Sequence, residues 1–337
     1  MQSIDNGPTD ISDVDSRQTQ DSFIIEARGL KNVARRYLPE GSSGILSASR
    51  PGYILVFAHG TGFHKEQWSV TIERLMQHGA NPSVLEAWAM DSPTHGQSAA
   101  LNVRKTTDSN WEYRADDYGE ALGQLAAELV IPRRIKRIHK VVLIAHSAGA
   151  QAAVYPSSTF DSLLLVEPAI WPAEMDGIDT PQYTVVQRKT ALRRNVWQSR
   201  EDARSFLSTR LPYKQWDPRV LDAYVDFGLT PVPGSESESV QLACAPIHEA
   251  QLFNSPLEAI RPMPILDEAC LRMPVHVIYG SIIDLFPRSK QDALLNGRQF
   301  ASVTRVPSVG HMIVQEVPDV LGDTILDILH HNRESKL

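Results

Sequence analysis

Ser147 lies in VVLIAHSAGAQAA (141–153), where four apolar residues run into a serine flanked by small residues and then into helix formers. That order predicts a strand, a sharp turn and a helix with the serine at the apex. A nucleophile there needs a strained backbone in which neighbouring Cβ groups would clash, and the chain supplies Ala145, Ala148 and Gly149. The usual pattern is Gly-x-Ser-x-Gly, and Ala145 stands for its first glycine. Alone, these letters also fit a buried strand capped by serine at a helix N-terminus.

Serine at its free pKa is a weak nucleophile, so the reading requires a histidine to take its proton and a carboxylate to orient that histidine. His311, in PSVGHMIVQEVP between the last expected strand and the final helix, is the candidate base. His146, next to the serine, is expected to point away across the elbow. Two carboxylates compete for the third role. Glu167 follows SLLLV, and Asp284 follows HVIYG on the next strand, so both fall at carboxyl ends of strands, where ligands and reactive groups gather in open α/β sheets. Chain position alone slightly favours Asp284, and either could instead cap a loop.

The oxyanion of a tetrahedral intermediate needs backbone donors fixed in advance. Ala148 N–H supplies one, and the glycine-punctuated loop His59-Gly60-Thr61-Gly62-Phe63 is expected to supply the other from Thr61, with Gly62 and Phe63 facing substrate. The stretch 91–98, DSPTHGQS, reads as a structural turn that shapes the pocket floor.

These residues demand a sheet whose strands all end on one side. FIIEA (23–27) and ARRYLP (34–39) read as opening strands, followed by YILVFAHG (53–60), VLEAWAMD (84–91), VVLIAH (141–146), SLLLVEP (162–168), PVHVIYG (274–280) and SVTRVP (302–307). Helical patterns intervene through Trp68, Ile72, Leu75 and Met76, across 111–130, and in VLGDTILDILHH (320–331). Strands alternating with helices predict an α/β fold with a mostly parallel central sheet flanked by helices. The rhythm breaks across 171–262, which is rich in Arg, Trp, Tyr and Pro and reads as a helical lid, with PVPGSESES (231–239) as a loop within it. The expected organisation is a disordered segment at 1–21, a core of 22–170 and 266–332, a lid at 171–265 and a tail at 333–337. Lid aromatics, Trp171, Trp197 and Trp216 foremost, could line an apolar acyl channel or form the lid's own core.

With 337 residues, 42% of them hydrophobic, the chain can bury a substantial core. No apolar run reaches the ~18 residues needed to span a bilayer, and the polar, acidic N-terminus has no secretory pattern. A formal charge of −7 argues against nucleic acid as a main partner, and the basic cluster at 133–140 reads as a solvated loop. Cys244 and Cys270 show no metal spacing and read as reduced thiols; no metal or cofactor is expected, and the oligomeric state is not legible. Ser335-Lys336-Leu337 matches the tripeptide read by peroxisomal import receptors, so a peroxisomal matrix location with that receptor as partner is expected.

Strand-HG-x-G, D-x-P-x-H-G-x-S, the A-H-S-A-G elbow and the late G-H-M together resemble the α/β-hydrolase fold over nearly the whole chain. More narrowly, HGTGFHKEQW (59–68), the lid strings within 193–229, VGHMIVQEVP (309–318) and the SKL tail resemble fungal peroxisomal hydrolases of secondary metabolism. That group includes the AK-toxin-type toxin-biosynthesis proteins and the acyl-CoA hydrolase of the mycophenolic acid pathway. The resemblance implies a serine hydrolase acting on an acyl thioester or ester, an acyl-CoA foremost, with Glu167 as the acid where an Asp is usual. A carboxylesterase or lipase, a lactonase, and an acyltransferase or cyclase would use the same constellation. A ligand-binding protein with a disabled triad is the alternative of a different class.

Overall fold

The computed structural model describes residues 22–334 apart from 47–49, 78–82, 109, 136, 178–180 and 255. The expected disordered segment 1–21 and the tripeptide Ser335-Lys336-Leu337 lie outside the described residues. Alternation of side chains along each strand organises everything else. In β3 (Gly52–Ala58), Ile54, Val56 and Ala58 join one core cluster while Tyr53, Leu55 and Phe57 join another. Likewise β5 (His139–His146) sends Val141, Leu143 and Ala145 to the first face and Val142 and Ile144 to the second. A strand apolar on both faces must be covered on both, which dictates three layers.

Around these two strands lie β1 (Ser22–Ala27), β2 (Leu30–Tyr37), β4 (Val84–Met90), β6 (Ser162–Val166), β10 (Val275–Gly280) and β11 (Ser302–Val306), in the order β1-β2-β4-β3-β5-β6-β10-β11. The six strands from β4 to β11 are parallel, and the β1-β2 hairpin joins β4 antiparallel. One face is covered by α3 (Ala115–Leu125), α4 (Ala148–Val154) and α10 (Met263–Arg272), and the other by α1 (Ser69–Met76) and α13 (Pro318–Glu334). The remaining core helices are α2 (Gly96–Thr106), α11 (Arg288–Leu295) and the single turn α12 (Ile313–Glu316).

Between β6 and β10 the chain forms the insertion expected as a lid. It holds α5 (Pro181–Ala191), α6 (Arg200–Leu207), α7 (Pro218–Phe227), α8 (Pro246–Asn254) and α9 (Pro256–Ile260). It is not purely helical: β7 (Val196–Trp197), β8 (Leu229–Pro231) and β9 (Val240–Leu242) form a small antiparallel sheet in the order β7-β9-β8, with 232–239 connecting β8 to β9. Met263, Leu266 and Ala269 of α10 pack into the main core rather than into the insertion.

Two other expectations need correction. The helix expected over 111–130 begins at Ala115 and passes into a π-helical turn at Ala126–Val130. The stretch 91–98 is more than a turn, because Gly96 opens α2. That helix escapes an apolar-period reading because it docks by hydrogen bonds. Ser98 Oγ accepts from Val33 N–H (2.8 Å), and Asn102 receives Lys31 N–H (2.9 Å) while donating to Lys31 O (2.7 Å).

The elbow explains its own composition. Ala145 is a fully buried member of β5, paired with Ala58 and Leu165, so a Cβ fits there. Gly149 has no such latitude: a Cβ would stand 2.5 Å from His59 O and 2.8 Å from Ala58 O. We therefore expect Gly149→Ala to cost about 1–3 kcal/mol or more through forced separation of α4 from β3, whereas Ala145→Gly should cost under about 1 kcal/mol. Urea unfolding of both variants checks this, and equal stability would refute the packing argument.

Candidate active site

Five loops converge at the carboxyl ends of β3, β5, β6, β10 and β11, at the point where β4 and β5 leave β3 in opposite directions. Ser147 sits directly after β5 with φ 54° and ψ −118°, a left-handed conformation that a non-glycine residue adopts only when its surroundings enforce it. Its N–H donates to Val166 O (3.0 Å), and its carbonyl accepts Ala150 N–H (3.0 Å) in the first turn of α4. Its Oγ–H is directed at Nε2 of His311, 3.0 Å away.

His311 is buried, and its Nδ1–H donates to Glu167 Oε2 at 3.3 Å. Glu167 directly follows β6 and is also left-handed, with φ 47°. Its N–H donates to Ile278 O (2.8 Å), and its Oε1 accepts Gly280 N–H (2.6 Å). One carboxylate oxygen is thus anchored on β10 while the other meets the imidazole. Gly280 also lets the loop that carries His311 pass close to β10, since a Cβ there would stand 2.2 Å from Val309 O.

Asp284 takes a different place. Both its oxygens accept the backbone N–H of His311, at 3.0 and 3.1 Å, and the His311 ring turns to Glu167. The Gly-His pair follows from this, because a Cβ on Gly310 would fall 2.1 Å from Asp284 Oδ2. His146 reaches across rather than away: its Nε2–H donates to His311 O (2.9 Å), and the two rings lie 5.0 Å apart. Burial, then the neighbouring His311, lowers the His146 pKa to about 3. Phe286 stands edge-on to the His311 ring at 5.1 Å. Neither the His146 anchor nor Phe286 was legible in the sequence, because both act through spatial neighbours far along the chain.

The loop 59–63 lies opposite. His59 accepts Ser92 N–H at Nε2 (3.0 Å) and donates from Nδ1 to Gly60 O (2.8 Å); burial lowers its pKa to about 4. Gly60 faces the elbow, with a Cβ there 3.0 Å from Ser147 Cβ. Gly62, at φ 81°, donates its N–H to His95 Nε2 (2.9 Å), and His95 Nδ1 pairs with Ser92 Oγ (2.7 Å). Burial holds His95 well below the usual imidazole range, in the neutral form that can accept. Among the described residues, neither Thr61 N–H nor Ala148 N–H has a hydrogen-bond acceptor. Beneath the loop, the buried Lys65 Nζ is held by Asp91 Oδ2 (2.9 Å), Glu66 Oε1 (2.9 Å) and Gln97 Oε1 (2.6 Å). Gly96 leaves room for the Asp91 carboxylate, which a Cβ would meet at 2.4 Å.

The tryptophans expected along an acyl channel are buried against other aromatic side chains. Trp197 and Trp216 lie in the insertion's own core, Trp197 against Phe206 and Trp216 against Phe63 at 5.7 Å; Trp171 packs on Phe286 at 5.4 Å. Phe63 is the member of this group that also meets His146, at 6.1 Å. The lid arginines are engaged internally: Arg193 with Glu249, Arg194 with Asp202, Arg204 with Asp222, Arg200 on the carbonyls of Val225 and Leu229, and Arg210 over Phe206. In the basic cluster, Arg133 pairs with Glu86 and Arg134 with Asp161; Lys136 lies outside the described residues. Among the described residues, Cys244 and Cys270 are free thiols, no three His, Cys, Asp or Glu converge to hold a metal ion, and no helix is long and apolar enough to cross a membrane.

Known proteins share this architecture. Abhydrolase domain-containing protein ACTT2-1 of Alternaria alternata is 32% identical over 111 residues, which is 32% of this chain and 38% of that relative. The chain thus spans well under half the length of that relative. Peroxisomal membrane protein LPX1 of Saccharomyces cerevisiae is 23% identical over 297 residues, covering 82% of this chain and 74% of the relative. Among solved structures, the peroxisomal alpha-beta-hydrolase Lpx1 from Saccharomyces cerevisiae superposes with a TM-score of 0.70 at 18% identity, covering 91% of this chain and 83% of that one. The thioesterase domain from the curacin biosynthetic pathway superposes with a TM-score of 0.64 at 16% identity, over 92% and 100%. The family model for the alpha/beta hydrolase family matches residues 55–324, from β3 into α13 and across the whole insertion, and the chain belongs to that family.

Proposed function

We propose that the protein is a serine hydrolase that cleaves an acyl ester or thioester through an acyl-enzyme on Ser147. The observation that carries the reading is the continuous relay from Ser147 Oγ through the His311 ring to the anchored Glu167 carboxylate, with two unengaged backbone N–H groups beside the serine. Ser147 Oγ attacks the carbonyl carbon as its proton passes to His311 Nε2. The oxyanion is held by Thr61 and Ala148 N–H, and collapse expels the thiol or alcohol, which takes the proton from His311. Water then attacks the acyl-enzyme with its proton passing to the same nitrogen, releasing the acid and restoring Ser147. Glu167 keeps Nδ1 protonated and stabilises the imidazolium. Asp284 fixes the backbone that carries the ring.

The substrate we propose is an acyl-CoA made or shortened in the peroxisome. Support comes from the resemblance of the lid strings to fungal peroxisomal hydrolases of secondary metabolism, a group that includes an acyl-CoA hydrolase, from the Ser335-Lys336-Leu337 tripeptide and from the peroxisomal name of the yeast relative. Gly62 and Phe63 are proposed to face the acyl group.

Ser147→Ala should abolish release of CoA from acyl-CoAs of graded length, and of p-nitrophenol from esters, without changing the unfolding midpoint. Intact-mass analysis should show one fluorophosphonate adduct on the wild type and none on the variant. Turnover unaffected by the substitution would end the serine mechanism, and esters cleaved with acyl-CoAs untouched would end the thioester assignment.

Glu167→Ala should lower kcat on the order of 10³-fold or more. Asp284→Asn, which keeps an acceptor for His311 N–H, should stay within roughly tenfold. The reverse ranking of these two rates would transfer the acid role to Asp284.

Acid sensitivity should follow from the buried imidazoles. The unfolded chain protonates them near 6.5, whereas the folded protein resists until about 4 at His59 and about 3 at His146. Unfolding therefore takes up protons between those values and 6.5, and this contribution to stability is complete above 6.5 and lost as the pH falls, down to about 4 for His59 and about 3 for His146. The slope approaches about 1.4 kcal/mol per pH unit for each ring. Urea midpoints that stay level from pH 7 to pH 4.5 would contradict the neutral burial of these rings.

A further inference from the structure

The buried carboxylate of Glu249 has no part in the relay above, yet it lies against the loop that carries Thr61. A Cβ on Gly62 would fall 2.6 Å from Glu249 Oε1 and 3.2 Å from its Oε2, so the carboxylate occupies the space that a side chain at 62 would need. The same residue is held from the core as well, since Gly62 N–H donates to His95 Nε2 at 2.9 Å. Gly62 is therefore gripped between α2's flanking histidine and α8 of the insertion, in a left-handed conformation of φ 81°.

Glu249 is itself held from the insertion. It forms an ion pair with Arg193, just after α5, and Arg193 Nη1 donates to Tyr213 Oη at 3.1 Å. The Tyr213 ring packs on Trp216 at 4.8 Å, and Trp216 meets the ring of Phe63 at 5.7 Å. The contacts thus leave the loop at Gly62 and return to it at Phe63, forming a closed circuit through the insertion. Burial raises the Glu249 carboxyl's pKa, and the Arg193 guanidinium opposes the rise.

We infer that Glu249, backed by Arg193, is a positioning residue that the insertion lends to the oxyanion loop, setting the direction of Thr61 N–H toward the tetrahedral intermediate. The inference rests on the serine-hydrolase reading above. Glu249 touches no reacting atom, and its effect is transmitted through the Thr61–Gly62 peptide and the backbone of Thr61 to the Gly60–Thr61 peptide that carries the Thr61 N–H. An interaction made only in the transition state should appear in kcat and leave KM nearly unchanged.

The test uses the full chain and two probes, a cleavable p-nitrophenyl ester and an alkyl boronic acid that forms a tetrahedral adduct on serine. Glu249→Ala should lower kcat by roughly ten- to a hundredfold, weaken the boronic acid by a similar factor and leave KM within about threefold. Glu249→Gln, which preserves reach and shape, should restore kcat to within about threefold of wild type. Should Glu249→Ala fail to fold, Glu249→Asp keeps the charge but withdraws the carboxylate from Gly62, and should give an intermediate loss in both kcat and boronic acid affinity. Wild-type kcat and boronic acid affinity in Glu249→Ala or Glu249→Asp would overturn the inference, as would a loss confined to KM or a Glu249→Gln variant as impaired as Glu249→Ala. Ser147→Ala measured alongside separates the two readings: persistence of its activity defeats the serine mechanism, whereas an inactive Ser147→Ala with unaltered Glu249 variants defeats only the positioning role.

Discussion

The carboxyl end of the sheet depends on the approach of α4 to β3, which the absence of a side chain at Gly149 allows. Because the helix begins so close to the neighbouring strand, the chain must turn sharply at Ser147, and the positive φ follows. That turn lifts Oγ above the sheet edge and leaves the first N–H of α4 without an intrahelical acceptor. Strain at Ser147 is balanced by the hydrogen bond from its N–H to Val166 O and by the buried strands on either side. The second strained residue, Glu167, lies on the adjacent strand, so two backbone distortions of neighbouring strands aim the serine and the carboxylate at one imidazole.

The sheet was readable because its strands are short apolar runs closed by glycine, proline or a polar residue, and their boundaries fall within a few positions of the expected ones. The missed elements lack that signal for physical reasons. Helix α2 buries Gly96, Ser98 and Asn102 and leaves Leu101 and Val103 exposed, so its apolar residues mark the wrong face. Strands β7, β8 and β9 have two or three residues each, too few to show alternation.

At the site, the residue types were legible and their mutual assignments were only partly so. Sequence order leaves Glu167 and Asp284 equivalent, each at the end of a strand beside the histidine's loop. What separates them is side-chain reach. Glu167, directly after β6, spans the distance to the imidazole while keeping an oxygen on Gly280 N–H, and Asp284, in the loop after β10, meets the backbone of residue 311. The insertion's aromatic residues carried no such directional information, since a tryptophan that closes a core and one that lines a channel look alike in a string of letters.

Strands β6 and β10 pair residue for residue from Leu163–Val275 to Val166–Ile278, although the whole insertion is spliced between them. Closing a longer connection adds only about 0.6 kcal/mol per doubling of its length. The sheet is therefore almost indifferent to what is spliced there. The insertion and the loops of the sheet meet where Glu249 lies against Gly62 and Trp216 against Phe63. An insertion of different length or sequence would leave the register of β6 and β10 in place, and what it must supply in return is a support for those two residues.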